Sequence, residues 1–221
     1  MRETYREELD DVTNKLVSMS SNVRTAVRDA TEALLQADLR MAERVIADDA
    51  RLDAMHEEIE EQCFQLLARQ APVAGELRIV VSAMRMIFEL ARMGDLAAHV
   101  AKIARLRYPE HAVPEALVAN FARMSEVADM MVGQAGRTLA ERDVAEATKL
   151  AAKDEEMDQL RREQFKVLLA DDWQYGVEAA VDAALLGRYY ERIADHAVSM
   201  GRRIIYVITG DVPEGDEWPV A

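Results

Sequence analysis

A single cysteine, Cys63, in 221 residues rules out an internal disulfide and, with it, the stapled folds of small secreted domains. Glycine (9) and proline (5) are sparse and aromatic residues make up only 5% of the chain, which leaves little material for strands and tight hairpins. No apolar run approaches the roughly 20 residues that a membrane-spanning helix requires. The N-terminal stretch Met1-Arg2-Glu3-Thr4-Tyr5-Arg6-Glu7-Glu8 is charged and lacks the apolar core of a signal peptide. A soluble cytoplasmic protein is the expectation. Glycine-rich phosphate loops, the G-x-S-x-G nucleophile turn and paired cysteines are all missing. Basic residues are outnumbered 27 to 41 by acidic ones, for a formal net charge of −14. That balance argues against nucleic acid, which needs a basic face, and is compatible with a basic protein partner or with cations.

Ala, Leu, Glu and Arg dominate, and these are strong helix formers. Punctuation divides the chain into six long helices, at about 3–36, 39–70, 73–107, 115–141, 144–170 and 174–209. Asp38 and Asp143 stand where N-caps belong, and Asp143-Val144-Ala145-Glu146 has the spacing of a capping box. Pro72 and Pro114 suit helix starts, and Gly210, after Ile204-Ile205-Tyr206-Val207-Ile208, suits a C-cap. Val45, Leu52, Ile59 and Leu66 recur every seven residues in the second helix, while Tyr190, Ala194, Ala197, Gly201, Ile204 and Ile208 form one apolar stripe in the last. Long helices joined by short connections fold back on one another as an antiparallel bundle.

The chain also repeats itself. Leu90-Ala91-Arg92-Met93-Gly94-Asp95 is answered 100 residues later by Tyr190-Glu191-Arg192-Ile193-Ala194-Asp195. With a shift of 105, Asp38, Ala42, Asp49, Asp53 and Glu58 meet Asp143, Ala147, Asp154, Asp158 and Glu163, and Val45 and Leu52 meet Leu150 and Met157. Internal self-similarity of this kind fixes architecture. It predicts an all-α fold of two tandem three-helix bundles, over 1–110 and 111–210, with a loose acidic tail at 211–221.

Three acidic pairs lie one helical turn apart: Asp49/Asp53, Asp154/Asp158 and Glu191/Asp195. Such pairs repel, and a bound cation would reverse the sign. Their number alone carries no signal in so acidic a chain; their matched placement in both copies does. Asp95 and Asp195 sit among small residues, which lets a neighbouring helix come close and bury a carboxylate that then needs a partner. That partner is either a metal or a protein ligand, or an arginine such as Arg92 or Arg192. Glu57 and Glu61 read as solvated, Cys63 as core, His99 as a surface or satisfied histidine, and the cluster Met84, Met86, Met93, Met124, Met130 and Met131 as core packing.

Four segments together resemble the PhoU family of phosphate-transport accessory and signalling proteins. They are Gln70-Ala71-Pro72-Val73-Ala74-Gly75-Glu76-Leu77-Arg78, Ala91-Arg92-Met93-Gly94-Asp95, Tyr190-Glu191-Arg192-Ile193-Ala194-Asp195-His196-Ala197, and Tyr206-Val207-Ile208-Thr209-Gly210. The resemblance spans nearly the whole chain. It implies two three-helix bundles related by a pseudo-twofold, and a non-enzymatic cytoplasmic adaptor that negatively regulates phosphate-starvation signalling. The implied partners are the ATPase subunit of the high-affinity phosphate ABC transporter and a sensor histidine kinase; a homodimer is left open. No cofactor is required, but some family members bind metal clusters through Glu/Asp-x-x-x-Asp motifs. Carried over, those motifs fall on Asp154, Asp158, Glu191 and Asp195 in the second copy, with Fe, Zn, Mg or another divalent metal as the candidate ligand. In the first copy they fall on Asp49, Asp53 and Asp95, where Ala91 replaces the expected Glu and puts a metal cluster in doubt. Glu76 replaces the family's usual Asp and keeps the charge. The competing class is a carboxylate-bridged metal-binding enzyme built in a helical bundle. Such sites use Glu-x-x-His pairs, and Asp53-Ala54-Met55-His56 is the lone approximation.

Overall fold

The computed structural model describes residues 2–70 and 72–213. Within them the chain forms six helices and no strand: α1 (Arg2–Gln36), α2 (Leu39–Gln70), α3 (Gly75–Arg107), α4 (Glu115–Glu141), α5 (Val144–Leu168) and α6 (Gly176–Thr209). None of these helices is long and apolar enough to cross a membrane. From residue 214 the expected tail lies outside the described residues, and 211–213 carry no regular structure.

The caps follow local chemistry. Asp38 Oδ1 accepts from the Met41 amide at 3.0 Å and Asp143 Oδ1 from the Glu146 amide at 3.1 Å, so both aspartates satisfy amides that the first helical turn leaves open. The reciprocal half of the capping box is not made. The Asp143 amide donates to Thr138 O, and the Glu146 carboxylate turns to Lys149. Gly210 closes α6 at φ 91°, a left-handed position that glycine takes without steric penalty. Pro72 stands just before α3, near the helix start as its spacing suggests, although the helix opens two residues later than the expected 73. The helix begins at Gly75, after Ala74 adopts φ 47°.

The first three helices pack on one another, as do the last three. Between the two triplets α1 packs along α4 and α3 along α6, so α2 and α5 flank a shared centre. α3 and α6 run antiparallel: Glu89 meets His196, His99 meets Tyr189, and Arg107 meets Asp182. The duplication is visible in burial. From Val81 to Val100 and from Val181 to Met200 the buried, half-buried and exposed positions coincide, apart from Arg92/Arg192 and His99/Ser199. It also reaches α1 and α4, where Leu16, Met19, Val23 and Val27 and their counterparts at a shift of 105, Phe121, Met124, Ala128 and Val132, are all within 1% of complete burial.

Candidate functional site

The four second-copy acids stand on the facing sides of α5 and α6. Asp154 and Asp158 are one turn apart on α5, Glu191 and Asp195 one turn apart on α6. Their environments differ sharply. Asp158 is exposed, whereas the Asp154 residue retains 8% of its accessible surface and its Oδ1 has no hydrogen-bond partner among the described residues. Burial, and then the charges of Asp195, Asp158 and Glu191, push the Asp154 carboxyl up to about 7. Asp195 is raised by burial and by Glu191, against the opposing pull of Arg192, whose Nη1 lies 3.7 Å from its Oδ2. Glu191 is held between two guanidinium groups. Arg161 donates to its Oε2 at 2.8 Å, and Arg188, three residues earlier on α6, donates to the same oxygen.

The first copy is the weaker relative. Burial raises Asp49, with Asp95 and Asp53 adding to the rise and Lys102 and His99 opposing it. Asp53 is exposed, and Asp95 is paired with Arg92 at 3.1 Å. Gly94 explains how α2 comes so near: a Cβ there would lie 2.6 Å from Leu52 Cδ1 and 3.6 Å from Asp49 Oδ1. A cavity of about 100 Å³ lies beside Asp49, between Asn22, Thr25, Asp48 and Arg51. The second copy's Arg161–Glu191–Arg188 arrangement has no equivalent here, because His56, Ala91 and Phe88 occupy the corresponding places.

A divalent ion is what the acid pairs invite, and the chemistry of the donors suits one. All four second-copy groups offer carboxylate oxygens, the ligands hard cations take, and Asp154 holds an orphaned oxygen in a field of three like charges. Asp154 and Asp195 are the residues that would hold such an ion, with Asp158 completing the set from the exposed side. Glu191 would first have to exchange its arginines. No three Asp, Glu, His or Cys side chains among the described residues are placed to grip an ion together. Arg161 and Arg188 are not among the sequence candidates. Arg188 carried a legible signal, since an Arg three residues from a Glu on one helix meets it; Arg161 reaches Glu191 only through the packing of α5 on α6.

The remaining sequence candidates find ordinary roles. Cys63 is fully buried, and burial pushes its thiol up to about 11, away from the reactive thiolate. His99 is exposed and stacks against Tyr189 of the other repeat at 5.4 Å. Glu57 and Glu61 face solvent. Met86, Met93, Met124 and Met131 are core residues, while Met130 is 36% exposed.

Comparison with known proteins places this geometry among relatives. The family model for the PhoU domain matches twice, over residues 16–104 and 121–204. The Mycobacterium leprae phosphate-specific transport system accessory protein PhoU homolog 1 is 46% identical over 219 residues, covering 99% of each chain. A Mycobacterium tuberculosis homolog 2 of the same accessory protein is 46% identical over 213 residues, which is 96% of this chain and all of the other. Among solved structures, the phosphate transport system regulatory protein PhoU of Streptococcus pneumoniae superposes with a TM-score of 0.86 at 25% identity, covering 95% of this chain and 99% of its own. PhoU from Pseudomonas aeruginosa gives 0.85 at 29% identity, over 94% of this chain and 100% of its own.

Proposed function

The chain belongs to the PhoU family, and from that membership we propose that it is a non-enzymatic cytoplasmic adaptor that represses phosphate-starvation signalling. In this reading it links the ATPase subunit of a high-affinity phosphate ABC transporter to a sensor histidine kinase, and it favours the kinase-inhibited state when phosphate is plentiful. The observation that carries the reading is the end-to-end match with proteins named as accessory to phosphate-specific transport. The architecture supports it. Helices of 25 to 35 residues present long, rigid faces, and charged surfaces of one sign steer a partner of the other. Deletion of the gene tests it. Phosphate-regulated transcription should rise in phosphate-rich medium, and the tagged protein should capture both the ATPase subunit and the kinase from the same cells. Unchanged transcription in a strain without a second copy of the family would count against the role.

Metal binding forms a second, separable part of the proposal, favoured by the orphaned Asp154 oxygen. Asp154, Asp158, Glu191 and Asp195 hold a divalent cation, such as Fe, Zn or Mg, that relieves their mutual repulsion. The first-copy set of Asp49, Asp53 and Asp95 binds more weakly for want of a carboxylate at Ala91. Protein purified without chelator should contain metal, and Glu191→Ala with Asp195→Ala should remove most of it. Full loading of the double variant would refute this assignment and leave the adaptor role standing.

A further inference from the structure

Around their acid pairs the two copies of the repeat differ at one carboxylate and its surroundings. Where the second copy has Glu191, the first has Ala91. Where the second has Arg161, Phe165 and Arg188, the first has His56, Glu60 and Phe88. The two arginines and the glutamate are therefore present together in one copy and missing together from the other. By contrast, an arginine paired with the aspartate three residues on is common to both, Arg92 with Asp95 and Arg192 with Asp195. What both copies keep belongs to the fold they share. The Arg161–Glu191–Arg188 group serves the second copy alone.

The group is tightly made. Arg161 donates from α5 to Glu191 Oε2 at 2.8 Å, and Arg188 reaches the same oxygen from one turn earlier on α6. The side chains of Arg161 and Glu191 are 21% and 17% exposed. The Arg161 guanidinium carbon stands 5.4 Å from the Phe165 ring centroid, one turn further along α5, and the aromatic face steadies it there. A carboxylate this little exposed needs a counter-charge, but one guanidinium supplies it. Two leave a local excess of one positive charge. That excess sits one turn from Asp195, where α5 packs on α6 and where Asp154 Oδ1 has no hydrogen-bond partner among the described residues. An oxygen engaged by two N–H groups is not free to face an ion. An incoming cation must displace them to gain Glu191, and until then it meets like charge.

We propose that Arg161 and Arg188 are internal counter-ions of the second-copy acid site: they hold Glu191 when no metal is bound, compete with a divalent cation for it, and thereby set the affinity of the site. The inference rests on the metal assignment made above and adds its regulation. Entry of the ion releases both guanidinium groups from Glu191, so that loading of the site and the freedom of two surface cations are one event. The first copy, with neither the arginines nor the glutamate, has nothing to release.

Titration of manganese(II), a hard divalent ion, into the full chain after chelator and buffer exchange tests the competition, with free ion counted by electron paramagnetic resonance. Arg161→Gln should bind the ion about tenfold more tightly than the parent, the factor that loss of a charge-assisted hydrogen bond implies. Arg161→Gln/Arg188→Gln should bind more tightly still, and adding Asp195→Ala to Arg161→Gln should abolish the gain. Arg162→Gln makes the same change of charge at the exposed neighbouring position and should have little effect. Circular dichroism confirms that each variant is folded, and Arg188→Gln, at the more exposed arginine, stands in if Arg161→Gln fails to fold. Binding that appears only once the arginines are removed also supports the competition. A gain as large in Arg162→Gln reduces the effect to net charge and overturns the proposal. Binding by the parent that neither arginine variant tightens overturns it too and leaves the metal assignment standing. No binding by the parent or by any arginine variant overturns both.

Discussion

Asp154 is buried while Asp158, one turn further along α5, faces solvent. The difference follows from register. Leu150, Asp154 and Met157 are spaced by four and three residues, so the aspartate occupies the apolar stripe that α5 turns toward α4 and α6; Val45, Asp49 and Leu52 repeat the pattern on α2. That signal is present in the sequence, because a carboxylate inside a heptad stripe is a buried one. The raised carboxyl has a thermodynamic consequence. Folded, Asp154 keeps its proton up to about pH 7, whereas an unfolded chain releases it near pH 4. The native state therefore binds more protons between those values, and stability falls as pH rises through that window. Above pH 7 the ionised side chain opposes folding by at most about 4 kcal/mol. Asp154→Asn removes the charge at nearly the same volume. It should raise Tm clearly at pH 8 in the presence of chelator, with the gain shrinking toward zero by pH 4. A gain that is independent of pH would show that the carboxylate is not the source.

Close helix approach in this fold depends on Gly94 and on three further glycines, Gly133, Gly136 and Gly187, whose hydrogens face a neighbour. At Gly187 an added Cβ would lie 1.9 Å from Gln164 Oε1 and 2.7 Å from its Cδ. Gln164 is fully buried, and its Nε2 donates to Ala183 O on the facing helix. The first repeat solves the same contact with Ile59 against Ile87, a glycine–glutamine pair being exchanged for two branched apolar side chains. Gly187→Ala should force Gln164 aside and leave its buried Nε2 without the Ala183 acceptor, lowering stability by about 2–4 kcal/mol in urea unfolding. Gly133 and Gly136 make similar room for Arg24 and Ser20. Helix count, limits and caps were legible in the sequence, because Asp38, Asp143 and Gly210 act within a turn of their own backbone. The duplication was legible through α2, α3, α5 and α6. What depends on packing between helices was not: the clamp on Glu191 by Arg161, and the departure of Glu146 toward Lys149 in place of the closed capping box. A spacing rule describes one helix, and those choices are made by two.

Across the whole molecule the two repeats share one interior. Arg24 and Asp129 occupy corresponding places in α1 and α4, separated by the 105-residue shift, and they bind each other through two hydrogen bonds of 3.0 and 2.8 Å. Two equivalent positions in contact lie on the pseudo-twofold axis, so the duplicated units carry opposite charges where they meet themselves. Opposite signs at matching positions of a repeat are readable from sequence alone once the shift is extended to α1 and α4. The second tie is buried. Thr31 Oγ1 donates to Val27 O, which leaves Tyr190 Oη to donate to Thr31 across the repeats at 2.6 Å. Around these contacts the apolar faces of α1 and α3 cover those of α4 and α6. Separating the halves would expose both faces to water, a larger apolar area than a monomer's surface tolerates. The chain should therefore unfold as one cooperative unit, with calorimetric and van't Hoff enthalpies equal and with probes in either repeat reporting the same midpoint. Residues 1–110 expressed alone should aggregate or remain molten, and co-expression with 111–221 should restore a soluble complex. Two resolved transitions, or a first half that is monomeric and sharply folded alone, would mean that each bundle holds its own core and that the seam carries little of the stability.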